Sequence, residues 1–170
     1  MKKLLYAAYG SNLLKERFMV YIKGGEFNGR HYDGCVDKTE PEDYGYIKVP
    51  HRIYFAKKSF RWGQMGVAFM DYREEENEEY HAVVRLWKIS EKQFECLNEQ
   101  EGKSLYNKIL ILGKKDNLEI KTITKDCLNE TNSPCDEYLD IIKKGLKETT
   151  NWSDDKIQDY LNKFIQHSSA

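Results

Sequence analysis

Two short stretches of this chain have residue types and order that could do chemistry together. Tyr9-Gly10-Ser11-Asn12-Leu13 follows directly on the apolar run Leu4-Leu5-Tyr6-Ala7-Ala8, and Gln100-Glu101-Gly102 closes a segment of helical pattern far downstream. A strand that breaks at a glycine and passes into a helix presents unpaired backbone N–H groups to an anion or a polarised carbonyl. A single carboxyl group at a chain reversal supplies an acid or a base. Together these are the minimum for a proton-transfer enzyme.

Each candidate has an ordinary alternative. A glutamate before a helix-ending glycine is usually a solvated side chain. Glu101 rises above that because Leu97 and the run Leu105 to Leu112 are apolar, so the turn between them must fold onto a core. A carboxyl group held there loses water, and its pKa is expected to rise. Ser11 is not in a G-x-S-x-G motif, and none of His31, His51, His81 or His167 sits in a motif that marks a base. Ser11 is therefore read as a helix cap or a backbone-positioning residue, and His51 and His81, in predicted strands, as structural histidines. Tyr138 is either a core aromatic or a pocket-lining hydroxyl. No P-loop, dinucleotide fingerprint or zincin motif occurs, and no cofactor or metal is expected. Cys35, Cys96, Cys127 and Cys135 form no CxxC pair and have no histidine at ligand spacing, so all four are read as reduced and structural.

The elements that must position these residues follow from periodicity. Residues 4 to 9 read as a buried strand. A helix capped by Ser11 or Asn12 carries Leu13, Leu14, Phe18 and Ile22 and stops at Gly24-Gly25. Glu26 to Tyr46 reads as a long loop with at most a short strand. Strands are predicted over Ile47 to Phe55, Met65 to Tyr72 and Tyr80 to Ile89, with the charge run Arg73 to Glu79 as a solvated hairpin tip. Ser90-Glu91-Lys92-Gln93 is a capping box opening a helix that buries Phe94 and Leu97 and ends near Gly102. Two strands, Leu105 to Leu112 and Leu118 to Thr124, flank a turn over Gly113 to Asn117. A helix is predicted from Ser133-Pro134, with Asp136 and Glu137 suited to its N-terminal dipole. A last helix from Ser153 carries Ile157, Tyr160, Leu161, Phe164 and Ile165 as one apolar stripe. Strands in the middle with helices between and after them predict an α+β fold.

The bulk properties narrow the function classes. A chain of 170 residues suits one domain, residues 1 to 170, with the C-terminal helix (about 153 to 167) packed on it. A net charge of −1 gives no electrostatic footprint for nucleic acid or an anionic membrane. The apolar runs are too short to span a bilayer, and Met1-Lys2-Lys3 with its short β-like run is not a secretory signal, so a cytoplasmic protein is expected.

Several of these features in this order resemble the gamma-glutamylcyclotransferase-like family. They are Tyr9-Gly10-Ser11-Asn12-Leu13 after an N-terminal strand, Ser59 to Ala68 ending in Gly66-Val67-Ala68, Glu101-Gly102 after a helix, Tyr106 in the next strand, and Pro134 with Tyr138 opening a later helix. The resemblance covers roughly residues 4 to 150. It implies a small mixed β-barrel or roll with peripheral helices, a possible homodimer, and cyclisation of a γ-glutamyl amide to 5-oxoproline with release of an amine or amino acid. Glu101 matches the catalytic acid/base, Tyr9, Gly10, Ser11, Asn12 and Leu13 the substrate-cradling loop, and Tyr106 and Tyr138 pocket-lining aromatics. Met65, where many relatives have glycine, and Cys135, where serine is common, are departures that bear on the leaving group.

That reaction suits the sparse inventory. The substrate's own α-amine attacks its γ-carbonyl, so the protein needs no nucleophile, and well-oriented intramolecular attack can supply up to roughly 7–11 kcal/mol. Moving a proton from an α-amino group to a free glutamate is uphill by roughly 5 kcal/mol in water, which a water-poor site is expected to reduce. Two other readings stay open: a non-catalytic small-molecule-binding module of the same fold, and a specialised relative acting on γ-glutamyl-amines, isopeptides or a biosynthetic intermediate. The 26–46 loop and Met65 are expected to shape the leaving-group side.

Overall fold

The computed structural model describes residues 2–101 and 105–168, with side chains through Ile165. Its centre is β1 (Lys3–Ala8), whose residues 4 to 8 are all buried, as a continuous apolar run in a sheet covered on both faces should be. After α1 (Lys15–Lys23) come a short hairpin, β2 (Gly25–Phe27) and β3 (Arg30–Tyr32), and then β4 (Glu42–Val49). A second hairpin, β5 (Ile53–Ser59) and β6 (Met65–Met70), leads through the charge run to β7 (Ala82–Ser90) and α2 (Glu91–Glu101). The chain ends with β8 (Lys108–Lys115), β9 (Leu118–Thr124), α3 (Asp136–Thr150) and α4 (Asp154–Ser168).

The main sheet has the order β4-β7-β1-β9-β8. β1 runs antiparallel to β7, with Tyr6 opposite Trp87, and parallel to β9, with Leu5 opposite Ile120. The β5-β6 hairpin is fastened to this sheet by side chains. Thr124 Oγ1 accepts from the Met70 N–H at 2.9 Å and donates to the Met70 carbonyl at 2.7 Å. Tyr54 Oη donates to the Lys125 carbonyl at 2.6 Å and accepts from the Cys127 N–H at 3.0 Å. Residues 131–133 stitch the hairpin further: Asn132 N–H donates to Phe55 O, and Gly66 N–H to Ser133 O. A Cβ on Gly66 would stand 2.0 Å from the Asn132 carbonyl oxygen, so no side chain fits there. The result is the α+β fold that the order of elements predicts, with the mixed sheet and peripheral helices of the barrel or roll that the resemblance implies, and no described helix is long and apolar enough to cross a membrane.

Local signals held where the physics is local. Gln93 N–H donates to Ser90 Oγ and Ser90 N–H to Gln93 Oε1, the reciprocal bonds of a capping box. The α4 stripe buries Ile157, Tyr160, Leu161 and Phe164, with Ile165 packed at its margin. Several boundaries move. Residues 11–13 form a tight 3-10 turn and α1 starts only at Lys15, with neither Ser11 nor Asn12 capping it. The 26–46 segment holds β2, β3 and the start of β4, because cross-strand partners, not its own periodicity, stabilise it. Pro50 splits the predicted 47–55 strand in two. Tyr106 precedes β8, and His51 and His81 flank strands, each bonding a backbone carbonyl. The β8-β9 turn is Asp116-Asn117, both at positive φ, while Gly113 sits at a bulge inside β8. Pro134 lies just ahead of Cys135, the N-cap of α3. The predicted stop at Gly102 lies outside the described residues.

The thiol reading and part of the charge-run reading are corrected: residues 73–79 are solvated apart from half-buried Glu75, but they tip no hairpin, because β6 pairs with β5 while β7 pairs with β1 and β4. Cys35 and Cys96, expected to be reduced, form a disulfide with Cα atoms 6.0 Å apart, and only Cys127 and Cys135 are free. A separation of 61 residues carries no local signal of such a pairing. Within the charge run, Glu75 is drawn in from solvent by an ion pair with Arg52. That bond, with the Asn77 N–H, holds the Glu75 carboxyl below its usual range; partial burial pushes Asp43 up, but the Arg85 bond and charge with the Gly45 N–H bond outweigh it and hold that carboxyl low as well. Carboxyls with depressed folded pKa values stabilise the fold above the unfolded pKa and lose that contribution as pH falls through the folded value. Urea unfolding should therefore show stability declining as pH drops below about 4, and Arg52→Met should flatten that decline.

Candidate active site

The loop after β1 is held by its carbonyls. Gly10 O and Ser11 O accept from the N–H groups of Leu13 and Leu14, Asn12 O accepts from Trp87 Nε1 at 3.2 Å, and Leu13 O accepts from Arg85 Nη1 at 2.8 Å. With all four carbonyls engaged, the N–H groups of Ser11 and Asn12 bond no backbone carbonyl among the described residues, and both residues line a cavity. A Cβ on Gly10 would lie 3.1 Å from Tyr138 Oη and 3.3 Å from Ala68 Cβ, so the glycine lets the tyrosine and β6 close against the loop.

Helix α3 presses the same loop from behind. A Cβ on Gly145 would come within 2.7 Å of both Leu13 Cβ and the Leu14 nitrogen. Alanine normally gains roughly 0.5–1 kcal/mol over glycine in a helix, but overpacking costs about 1–3 kcal/mol. Gly145→Ala is therefore expected to lower stability in denaturant unfolding, and a variant as stable as the parent would show that the loop yields easily.

The cavity has two chambers that share Ser11, Glu101, Tyr106 and Tyr138. The inner one, about 30 Å³, is walled by four tyrosines and the loop. The outer one is about 280 Å³ and opens between α1, the end of α2 and residues 59–62. Tyr106 Oη donates to the Ala68 carbonyl at 3.0 Å and Tyr9 Oη to the Ile123 carbonyl at 2.7 Å. Tyr138 Oη instead accepts from the Ala68 N–H at 2.9 Å, and Tyr6 Oη accepts from Asn12 Nδ2 at 3.2 Å. Among the described residues neither of these two hydroxyls has an acceptor for its own proton. Burial pushes all four phenols well above their ordinary range, so at neutral pH they are donors and carry no charge.

Glu101 stands at the neck between the chambers. It is the last described residue of α2, half-buried, with Oε1 3.4 Å from Asn12 Nδ2. Gln100 fixes that helix end: its Nε2 donates to the Tyr21 carbonyl at 2.7 Å, and its own carbonyl accepts from Arg61 Nη2 at 3.1 Å. Asn12 Oδ1 is buried with no partner among the described residues, an acceptor left waiting for a donor.

The structure gathers Glu101, Tyr9, Gly10, Ser11, Asn12, Tyr106 and Tyr138 around the inner chamber. Leu13 does not belong there: it is fully buried against α3, and its N–H is spent on Gly10. Met65 and Cys135 line neither chamber, whereas Arg30 from the 26–46 segment lines the outer one. Sequence reasoning missed Tyr6, Ala68, Arg17 and Arg61. Arg17 had a signal: it falls on the buried stripe of α1, between Leu14 and Phe18, where a cation is out of place.

No family model matches this sequence. Histone deacetylase 5 of Arabidopsis thaliana is 26% identical over a 202-residue alignment that covers 94% of this chain and 30% of that protein, so the chain spans less than a third of this relative's length. Among solved structures, an uncharacterized protein from Homo sapiens superposes with a TM-score of 0.68 at 19% identity, over 93% of this chain and 88% of that one. A gamma-glutamyl cyclotransferase gives 0.64 at 20%, over 92% and 87%. YkqA from Bacillus subtilis gives 0.61 at 15%, over 96% and 56%. At these identities the likeness is one of fold, and the chain has the gamma-glutamyl cyclotransferase fold.

Proposed function

We propose that this chain, on its gamma-glutamyl cyclotransferase fold, cyclises a γ-glutamyl amide to 5-oxoproline and releases an amine, with Glu101 as the proton carrier. The observation that carries the reading is the meeting of one half-buried carboxylate with the Gly10–Asn12 donors and four neutral phenols in a single cavity. The substrate's ammonium end enters the inner chamber, where Asn12 Oδ1 and the Glu101 carboxylate accept from it. The N–H groups of Ser11 and Asn12, with the free O–H protons of Tyr6 and Tyr138, hold negative oxygen of the substrate.

The proton count closes without a further reagent. The α-ammonium begins with three protons. One leaves to Glu101, freeing the lone pair that attacks the γ-carbonyl carbon. As the ring closes, the amide C–N bond breaks and the departing nitrogen takes the proton from Glu101. A second proton passes from the ring nitrogen by the same carboxyl group. The lactam keeps the third, and the product amine leaves charged. Holding the chain curled supplies the rate enhancement that a protein nucleophile would otherwise provide.

Purified protein incubated with a panel of γ-glutamyl dipeptides and γ-glutamyl amines should release 5-oxoproline, followed by mass spectrometry. Tight binding across the panel with no lactam formed would leave a binding module in place of an enzyme.

A further inference from the structure

The main sheet ends in two edges of different character. β4, on one side, carries Glu42, Asp43 and Lys48 and is interrupted by a bulge between Asp43 and Tyr46. Charge of both signs and a bulge are common means of keeping a free edge from pairing with other chains. β8, on the other side, pairs with β9. Among the described residues no backbone group of 108–115 bonds the backbone of any other segment. Leu110 and Leu112 pack against the core, so the alternation of the strand turns Ile109 and Ile111 to the opposite face. These two side chains are 49% and 63% exposed. An edge built only to repel would carry charge at both positions.

The charge that β8 does carry is of one sign. Lys108, Lys114 and Lys115 are exposed, the strand holds no acidic residue, and none of the three joins an ion pair among the described residues. Two of them are nevertheless held in place. Lys108 Nζ lies 3.9 Å from the centre of the Tyr72 ring. Lys115 Nζ lies 5.2 Å from the centre of the Tyr44 ring and donates to the Tyr44 carbonyl at 3.4 Å. Aromatic faces and a carbonyl orient an ammonium group without neutralising it. The edge thus joins an open backbone ladder, two bare isoleucines and fixed positive charge toward both ends.

We propose that β8 is a docking edge for an extended segment of another protein, with apolar residues at alternate positions and acidic residues on either side of them. The segment adds to the five-stranded sheet as one more strand. Its backbone completes the ladder, its apolar side chains cover Ile109 and Ile111, and its carboxylates answer the lysines. The register shift between Ile111 and Gly113 confines regular pairing to residues 108–111, so the recognised stretch is short. A second copy of β8 is the poorer occupant, since it brings three more lysines and no acid. The proposal stands whether or not Glu101 moves protons.

The test titrates isotope-labelled protein with the peptide acetyl-Glu-Glu-Val-Thr-Val-Thr-Glu-Glu-amide, following backbone amide resonances up to millimolar peptide. Shifts should centre on residues 108–111. A counterpart with lysine at every glutamate should bind at least roughly 10-fold more weakly, since each opposite-charge contact becomes a like-charge one. Proline at both threonines should abolish binding, because the added strand loses ladder donors. On the protein, Lys108→Glu with Lys114→Glu should exchange the preference between the acidic and basic peptides. Ile109→Thr with Ile111→Thr should weaken the acidic peptide while keeping strand propensity; all four side chains are exposed, so both variants should fold. No shifts, shifts centred elsewhere, equal binding of the two peptides, or a preference that charge reversal leaves unmoved would overturn the proposal. So would a dimer in sedimentation that Ile111→Lys dissolves, because a second copy would then occupy the edge.

Discussion

Glu101→Gln is expected to cut 5-oxoproline release by roughly 10³-fold, within the span that positioned acid–base groups contribute, while KM and melting temperature stay near those of the parent. The substitution keeps the shape of the side chain and leaves an amide oxygen able to accept from Asn12 Nδ2, now 3.4 Å from Oε1. What it removes is a group that can take a proton from the substrate's nitrogen and return it. A loss confined to kcat would therefore be a proton-transfer defect. The tyrosines offer no substitute base, since burial holds their phenols protonated far above neutral pH. A variant that kept more than about a tenth of the parent rate would place the proton carrier elsewhere, because general acid–base contributions begin near 10²-fold. The architecture would survive that result and the mechanism would not.

How much of this could be read from the sequence divides by the range of the forces involved. Ser90 and Gln93 bond each other across three residues, so their motif means what it says wherever it occurs. The α4 stripe and the buried run of β1 are likewise set by periodicity. The Tyr9–Asn12 loop and Glu101 were found as separate motifs, and their meeting across 89 residues was supplied by resemblance. Tyr106 and Tyr138 illustrate what no local pattern contains: both bond the backbone of one residue, Ala68, one to its carbonyl and the other to its N–H. Leu13 lines neither chamber for the same reason. It sits inside the motif, but Gly145, 132 positions on, decides which way that part of the loop faces. Arg17 was legible and overlooked, because a lone cation on an apolar stripe is easily read as noise at the helix margin.

Removing the Cys35–Cys96 link is expected to cost about 2–4 kcal/mol of stability, the typical contribution of a native disulfide. The bond closes a 61-residue loop running from the segment after β3 to the middle of α2, and the loop-closure estimate for that length, roughly 4.3 kcal/mol, falls just above this range. Cys35→Ser with Cys96→Ser should therefore lower the urea midpoint clearly, and a reducing agent should do the same to the parent. Cys135→Ser, half-buried and unpaired, should change it by less than roughly 0.5 kcal/mol. The link also bears on the site. Gln100, one turn beyond Cys96, places Nε2 3.1 Å from the Cys96 sulfur, 3.6 Å from that of Cys35 and 2.7 Å from the Tyr21 carbonyl. Glu101 is the next residue, so whatever loosens this corner of α2 loosens the proton carrier. Under conditions where the double variant remains folded, its lactam release should fall further than its KM rises. If the reduced and oxidised proteins melt together and turn over alike, α2 is held by Phe94, Leu97, its cap and the Gln100 bonds to Tyr21 and Arg61, and the disulfide lies outside both the stability of the fold and the placement of Glu101.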